Sequence, residues 1–255
     1  MELFNLEGKV VIVTGAGRGI GREIALGFAN AGCRLVICSR TISELEALAK
    51  EIESLGSRAH IVRCDITQPD DVDRVVQEAI DQFGKIDILI NNAGITKKHP
   101  AEEFPLEDWN QIIQVNLTGV FLFTQKVGNI MLEQGSGSII NLSSIASQSA
   151  LTGSLAYCVS KGGVDMLTKT FAMEWATRGV RVNAIAPAYI ETPLVKEIKD
   201  HRPKFVEDIL HRTPMNRMGD PKEIVGTAIY LASDAATYVT GETIFVDGGW
   251  MAAGL

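Results

Sequence analysis

A glycine-rich turn follows a β-branched run near the start of the sequence. The run Val10–Val13 leads into Thr14-Gly15-Ala16-Gly17-Arg18-Gly19-Ile20-Gly21, after which Ile24 and Phe28 continue an apolar pattern at helical spacing. A strand, a tight turn and a helix in this order leave backbone N–H groups at the helix start free to hold an anion. The glycines follow T-G-x-x-x-G-x-G, not the common G-x-G-x-x-G. The turn predicts a phosphate site, with an ordinary strand-to-helix turn as the alternative.

Two arginines suit a second phosphate. Arg40 follows the predicted strand Leu35–Cys38, about 20 residues beyond the glycine turn, where dinucleotide-binding folds usually place an acid against the adenosine ribose. No acid stands there, and Arg18 lies in the turn itself. Guanidinium groups bind a 2′-phosphate through forked hydrogen bonds. We therefore predict NADP(H) as the preferred cofactor, with NAD(H) possible and two solvated arginines as the alternative.

Tyr157 and Lys161 form a candidate proton-handling pair. They are four residues apart at the start of the predicted helix Tyr157–Gly179, so both side chains occupy one helix face. Such pairs also occur by chance on helix surfaces. Asn116 stands inside another predicted helix, where its amide competes for backbone groups, so a local distortion or a specific partner is expected there.

The cysteines and histidines do not form a metal or redox motif. The four cysteines lack a C-x-x-C pair and the four histidines lack ligand-like spacing. We predict no metal site and reduced thiols in the core.

Strands and helices alternate along the whole sequence. This pattern predicts an α/β fold: one domain over residues 1–255, with a doubly wound, seven-stranded parallel sheet of the Rossmann type and helices on both faces. The weakly periodic segment between Pro187 and Pro221 suits a substrate lid at about residues 188–220. The predicted strands are Val10–Thr14, Leu35–Cys38, His60–Asp65, Ile86–Ile90, Gly137–Leu142, Val180–Ala186 and Thr243–Asp247.

Ligands of such sheets bind beyond the carboxyl ends of the strands. This rule places Asp65 and the run Asn91-Asn92-Ala93-Gly94 on the rim of the cofactor site. The run could also be a plain turn, since Asn and Gly tolerate left-handed conformations.

Composition narrows the possible partners and location. The 255 residues carry a net charge of -7, which argues against nucleic acid and anionic membranes as partners. The first residues do not resemble a signal peptide, and no apolar run reaches the roughly 18 residues of a membrane span. We expect a cytoplasmic protein with a small-molecule substrate.

The sequence resembles the short-chain dehydrogenase/reductase family over essentially its whole length. Each matching motif is short, but their joint order and spacing are specific. The matching residues are Thr14-Gly15 with Gly19 and Gly21, Asp65, Asn91 to Gly94, Asn116, Ser144, Tyr157 with Lys161, Asn183 with Pro187, and Thr192.

The resemblance implies an oxidoreductase that exchanges hydride between a nicotinamide and a secondary alcohol or ketone. It implies that Tyr157 is the general acid/base, made acidic by the Lys161 ammonium, and that Ser144 binds the substrate oxygen. It further implies that Lys161 holds the nicotinamide ribose and that Asn116 supports a proton-relaying water. A non-catalytic NADP-binding sensor is the alternative from another class.

The resemblance also implies a set of cofactor contacts. One departure is Ala188 after Pro187, where the family usually has glycine. The expected cofactor-binding residues are Gly15, Arg18, Gly19, Ile20, Gly21, Arg40, Asp65, Ile66, Asn92, Ala93, Gly94, Tyr157, Lys161, Pro187, Ile190 and Thr192.

The segment Ile95–Pro105 and the ending Val246–Trp250 look like the gluconate 5-dehydrogenase branch of the family. A basic side chain at the pocket could meet a sugar-acid carboxylate. The candidates are Lys97 or Lys98, with Arg202 or Arg212 from the lid. The rival branch is 3-oxoacyl-carrier-protein reductase, which needs a basic docking surface that an acidic chain does not clearly offer.

Family members are commonly homotetramers. The stretches Leu106–Met131 and Tyr157–Arg178 are apolar enough to be shared between subunits. The resemblance therefore implies a homotetramer here.

Overall fold

A parallel β-sheet forms the centre of the computed structural model, which describes residues 2–192 and 203–253. Within these residues the sheet has seven strands, and every neighbouring pair is parallel. The strands are β1 Val10–Thr14, β2 Arg34–Ser39, β3 Arg58–Arg63, β4 Ile88–Asn91, β5 Gly137–Leu142, β6 Val180–Pro187 and β7 Thr243–Val246. Their order is β3-β2-β1-β4-β5-β6-β7. This arrangement confirms the predicted doubly wound sheet.

Helices cover both faces of the sheet. The α-helices of the described residues are α1 Gly19–Asn30, α2 Ile42–Ser54, α3 Pro69–Phe83, α4 Leu106–Ile113, α5 Gly119–Gln134, α6 Leu155–Trp175, α7 Pro203–Arg212 and α8 Val225–Ala232. A π-helical turn, Gln114–Thr118, joins α4 to α5. Short 3₁₀ turns lie at Glu2–Phe4, Ala101–Glu103, Ile145–Ser147, Ala176–Arg178, Pro221–Ile224 and Asp234–Ala236.

Strand β1 shows why the sheet needs two layers of helices. All five of its residues are buried, because alternate side chains point into opposite cores. Val11 and Val13 join a cluster with α1, α2 and α8, whereas Ile12 joins a cluster with α3, α5 and α6. Burying each such side chain contributes about 1.5–3 kcal/mol. Residues 10–14 are thereby fixed between two cores, and the glycine turn starts from a rigid strand.

Most strand boundaries differ from the sequence prediction by one or two residues, and two differences have an identifiable cause. Strand β3 ends at Arg63 rather than Asp65. The reason is that the Asp65 N–H donates to the Asp71 carboxylate at 2.8 Å instead of continuing the ladder with β2. The helix expected to run through Asn116 is interrupted by the π-turn, which confirms the predicted distortion.

The segment after β6 contains α7, and the isolated bridge Ile190–Gly219 closes its two ends. The lid assignment and the single-domain assignment remain predictions. Arg202, one of the proposed carboxylate partners, lies outside the described residues. None of the helices in the described part of the chain has the length and apolar character to cross a membrane.

Candidate active site

Two cavities meet at the carboxyl edge of the sheet, where the chain order reverses between β1 and β4. We call the first the turn cleft: it has a volume of about 470 Å³ and runs from the glycine turn to Arg40 and Asp65. We call the second the tyrosine pocket: it has a volume of about 480 Å³ and contains Ser144, Tyr157 and Lys161. The cavities are continuous, since both are lined by Arg18, Ile20, Asn92, Gly94, Ile95 and Thr192. This edge is where doubly wound sheets bind ligands.

The glycine turn is shaped by close contact with the loop after β4. Gly15 has a φ of +62°, and a Cβ there would lie 2.8 Å from the Cα of Ala93. The Asn92 amide donates to the carbonyl oxygens of Thr14 and Gly15, both at 3.0 Å. A side chain at position 15 would therefore separate the two strand ends that form the crevice.

The start of α1 is open to an anion. The helix begins at Gly19, carries no acid in its first turn, and the preceding Arg18 makes no capping hydrogen bond. Free N–H groups and the positive end of the helix dipole therefore face the turn cleft. Gly21 is the one predicted cofactor residue that lines neither cavity: it packs against the Asn92 side chain within α1.

Arg18 and Arg40 are exposed side chains on the wall of the turn cleft. Glu44, in the first turn of α2, lines the same cleft and packs on Gly17: a Cβ at Gly17 would lie 2.5 Å from a Glu44 carboxylate oxygen. Glu44 is not among the residues predicted from the sequence.

The remaining predicted cofactor residues also line these cavities. Asp65, Ile66 and Ala93 line the turn cleft, together with Gly15 and Gly19. Pro187 and Ile190, which follow from the end of β6, line the tyrosine pocket. Ala188, the departure from the family pattern, forms part of the same wall.

Lys161 is held in place by the end of β5. Its side chain is 4% exposed, and its ammonium donates to the Leu142 carbonyl at 2.6 Å. Burial lowers the pKa of Lys161 to about 8, and the charge of Asp165 opposes this shift. The Lys161 ammonium lies 5.7 Å from the centroid of the Tyr157 ring. A cation whose charge is sensitive near neutral pH therefore stands beside the phenol.

Tyr157 faces Ser144 across the pocket. Burial raises the pKa of the Tyr157 phenol, while a hydrogen bond from the Ser144 side chain favours the phenolate. Ser144 lies just after β5, and its hydroxyl accepts from the Ala146 N–H at 3.1 Å. The phenol and the serine hydroxyl are thus both placed to contact one oxygen atom of a bound substrate.

Asn116 lies behind the pocket rather than in its wall. It is fully buried in the π-turn, and its amide exchanges two hydrogen bonds of 2.8 Å with the backbone of Ile95. Its Nδ2 also donates to the Ser160 hydroxyl at 3.1 Å, and that hydroxyl donates to the Tyr157 carbonyl at 2.7 Å. The π-turn therefore turns Asn116 inward to connect the loop after β4 with α6.

Of the basic residues predicted to meet a substrate, Lys98 lines the tyrosine pocket. Lys97 does not line it, which corrects that alternative, because Asp108 holds its ammonium in an ion pair. Arg212 stacks over the Trp250 ring at 4.6 Å and also lies outside the pocket lining. Two aromatic side chains that line the pocket, Tyr189 and Phe205, were not predicted from the sequence.

A phenol, a serine hydroxyl and an ammonium around one pocket can hold a carbonyl oxygen and exchange a proton with it. An adjoining cleft with a helix N-terminus and two arginines suits a phosphorylated cofactor. The fold and the site together define a nucleotide-dependent oxidoreductase.

Comparison with known proteins agrees with this class. A family model described as enoyl-(acyl carrier protein) reductase matches residues 15–251. The chain is 41% identical over 244 residues to a 3-oxoacyl-[acyl-carrier-protein] reductase of Thermotoga maritima, covering 96% of this chain and 98% of the relative. It is 37% identical to the 5-keto-D-gluconate 5-reductase of Escherichia coli, covering 99% of both.

A solved structure is similarly close. The gluconate 5-dehydrogenase of Burkholderia cenocepacia, in complex with NADP and tartrate, superposes with a TM-score of 0.95 at 39% identity and 99% coverage of both chains. This chain belongs to the short-chain dehydrogenase/reductase family, whose members are NAD(P)-dependent dehydrogenases and reductases.

Proposed function

We propose that this chain is an NADP(H)-dependent oxidoreductase that interconverts a secondary alcohol and a ketone on a sugar acid such as gluconate and 5-ketogluconate. The observation that carries the substrate class is the position of Lys98. Lys98 lines the tyrosine pocket, and its ammonium lies 4.7 Å from the ring centroid of Phe205, another lining residue. A cation on a partly apolar wall can pair with a substrate carboxylate.

The neighbours of Lys98 fix its direction. Lys97 Nζ pairs with Oδ1 of Asp108, and His99 Nε2 contacts Oδ2 of the same carboxylate at 2.7 Å. The His99 N–H also donates to the Gly153 carbonyl at 3.0 Å. Alternate residues of an extended chain point to opposite sides. Asp108 therefore holds residues 97 and 99 on one side of the segment, and residue 98 points to the other side, where it lines the tyrosine pocket.

The turn cleft fits NADP(H). Gly15 leaves the space that a Cβ would fill, and the open start of α1 can hold a phosphate. Arg18 and Arg40 supply positive charge where an NAD-binding chain would carry an acid. The NADP bound in the Burkholderia cenocepacia relative supports the same preference. NAD(H) remains the secondary cofactor of this proposal.

The catalytic roles in this proposal are those that the family resemblance implies for the side chains around the pocket. The bound nicotinamide supplies or accepts the hydride. Tyr157 donates the proton to the substrate oxygen in reduction and accepts it in oxidation, and Ser144 holds that oxygen. The Lys161 ammonium stabilises the phenolate. We assign Asn116 to the proton path behind Lys161, because both side chains lie beside Gly94. A Cβ added at Gly94 would be 3.4 Å from Asn116 Oδ1 and 3.7 Å from Lys161 Nζ.

Reduction of a 3-oxoacyl group on a carrier protein is the second candidate. The 41% identity to the Thermotoga maritima enzyme favours it. The net charge of -7 does not, because an acidic carrier protein needs a basic docking surface. Rates of NADPH oxidation with 5-ketogluconate, a β-ketoacyl thioester and a simple diketone separate the candidates. We expect the highest kcat/KM with the keto acid; a clear preference for the thioester would overturn the sugar-acid assignment.

We also propose a homotetramer located in the cytoplasm. The outer surface of α5 and α6 is apolar: Met166 is 62% exposed and Met173 78% exposed, and Phe121 stacks on Phe171 at 6.4 Å. Exposed apolar patches of this kind mark association surfaces. The cysteines support a reducing compartment, since all four are free. Light scattering at micromolar concentration tests the assembly, and a monomer would contradict it.

A further inference from the structure

Asp165 is a buried carboxylate that the proposed mechanism does not use. It lies four residues beyond Lys161 on α6 and is 6% exposed. Its Oδ1 accepts a hydrogen bond from the Ser143 hydroxyl at 2.6 Å. Its Oδ2 is buried and has no hydrogen-bond partner among the described residues.

Such a group is costly to keep. A buried carboxylate with one unpaired oxygen loses hydration that a single hydrogen bond does not replace, and an apolar side chain of similar size is often more stable in its place. Packing alone therefore does not account for an acid at position 165. The position of Asp165 beside the active site suggests that its charge acts on a group of that site.

Asp165 touches the segment that holds the reacting groups. Its hydrogen-bond partner Ser143 lies between Leu142, whose carbonyl accepts from the Lys161 ammonium at 2.6 Å, and Ser144 in the tyrosine pocket. Residues i and i+4 share one side of a helix, so the Asp165 carboxylate and Lys161 lie on the same side of α6. The carboxylate can therefore affect Lys161 in two ways: through the hydrogen-bonded end of β5, which holds the ammonium, and through the attraction between the two charges.

The other surroundings of Lys161 supply little charge. The end of β5 contributes the Leu142 carbonyl, and the π-turn and the loop after β4 contribute Asn116 and Gly94, all neutral. Tyr157, on α6 itself, is the other titratable group that faces the ammonium within the described residues. Burial depresses the pKa of Lys161, and the Asp165 carboxylate is the charge that raises it.

We propose that Asp165 is a positioning residue of the reaction, whose negative charge, held in place by Ser143, keeps the buried Lys161 ammonium protonated beside Tyr157. This inference rests on the proposed roles of Tyr157 and Lys161. It does not depend on which substrate the pocket accepts.

The test measures the titration of Lys161 directly. Protein labelled with ¹³C at lysine Cε is titrated by NMR, and the Lys161 signal is assigned by its absence in Lys161→Arg. Asp165→Asn keeps the shape and the acceptor for Ser143 but removes the charge. We expect the Lys161 midpoint to fall by about 0.5–1 pH unit in this variant. Thermal unfolding and NADPH binding verify that it is folded.

Two control variants separate charge from structure. Ser143→Ala keeps the carboxylate and loses its hydrogen bond, so we expect a smaller shift of the midpoint. Glu174→Gln removes an exposed negative charge from the same helix, and we expect no shift. An Asp165→Asn midpoint within about 0.2 unit of wild type, or an equal shift in Glu174→Gln, would overturn the proposal.

Turnover gives a second readout. The substrate is whichever of 5-ketogluconate, the β-ketoacyl thioester and the diketone the wild-type enzyme reduces fastest. With it, kcat of Asp165→Asn at pH 8 should fall about two- to fivefold, because a smaller fraction of Lys161 is protonated. KM for NADPH should change less than about twofold, since the variant leaves the turn cleft intact. An unchanged kcat would contradict the role in the reaction. The NMR titration needs no substrate, so failure of the sugar-acid assignment would not be mistaken for failure of this inference.

Discussion

The Lys161 ammonium lies one helical turn from Tyr157, 5.7 Å from the centroid of the phenol ring. An unperturbed phenol titrates near 10, and burial raises the pKa of Tyr157 further. A nearby cation offsets that penalty by stabilising the phenolate. The pair therefore has the arrangement needed to exchange a proton with a substrate oxygen at neutral pH.

Tyr157→Phe removes the proton donor and leaves the ring in place. We expect kcat to fall about 10²- to 10⁴-fold, as loss of a general acid does, with NADPH affinity within a few-fold of wild type. Stopped-flow turnover and fluorescence titration of NADPH measure the two quantities. An unchanged rate would exclude Tyr157 from the mechanism and would favour a cofactor-binding sensor instead.

Lys98→Gln tests the carboxylate partner in the tyrosine pocket. We expect KM for 5-ketogluconate to rise about tenfold, because a charge-assisted hydrogen bond contributes about 1.5–3 kcal/mol when it is desolvated. KM for an uncharged diketone should stay within about twofold, since it has no carboxylate to pair. Lys97→Gln is the matched control, because Asp108 keeps its contact with His99 at 2.7 Å. Equal effects on the charged and uncharged ketones would argue against the role of Lys98.

Arg40→Ala tests the preference for NADP(H). Removing this guanidinium should raise KM for NADPH about tenfold or more and leave KM for NADH nearly unchanged, because NADH has no 2′-phosphate. Arg58→Ala, at an exposed position on β3, is the control and should affect neither. If Arg40→Ala weakens both cofactors alike, the discrimination lies elsewhere in the turn cleft.

Gly15→Ala tests the contact between the glycine turn and the loop after β4. The new Cβ would lie 2.8 Å from the Ala93 Cα at a φ of +62°, so we expect loss of NADPH binding as well as lower stability. Gly56→Ala is the control, because Gly56 also has a positive φ of +81° but a Cβ added there would have no atom within 4 Å. That variant should lose only about 1–2 kcal/mol of unfolding free energy, with binding intact. Calorimetry of unfolding and of NADPH binding distinguishes strain from steric exclusion.

The sheet was predictable because its strands are short apolar runs separated by helices of regular period. The end of β3 was not, because it depends on the Asp71 side chain capturing the Asp65 N–H. In the site, the proposed cofactor and catalytic positions come from the family resemblance. The roles that we propose for Asp108 and Asp165 could not be predicted, since they rest on contacts across 9 and 22 residues of sequence that only the folded chain brings together.

Hydrogen bonds within the chain hold together the ends of β1 and β4, which form the crevice. Besides the Asn92 amide contacts, the Thr14 hydroxyl accepts from the N–H groups of Asn92 and Ala93 at 3.0 and 3.2 Å. Because this groove is already ordered, binding a dinucleotide costs conformational entropy mainly in the ligand and little in the polypeptide. Binding of the dinucleotide should consequently proceed without a slow rearrangement of these strand ends, and most of its entropic cost should come from the dinucleotide.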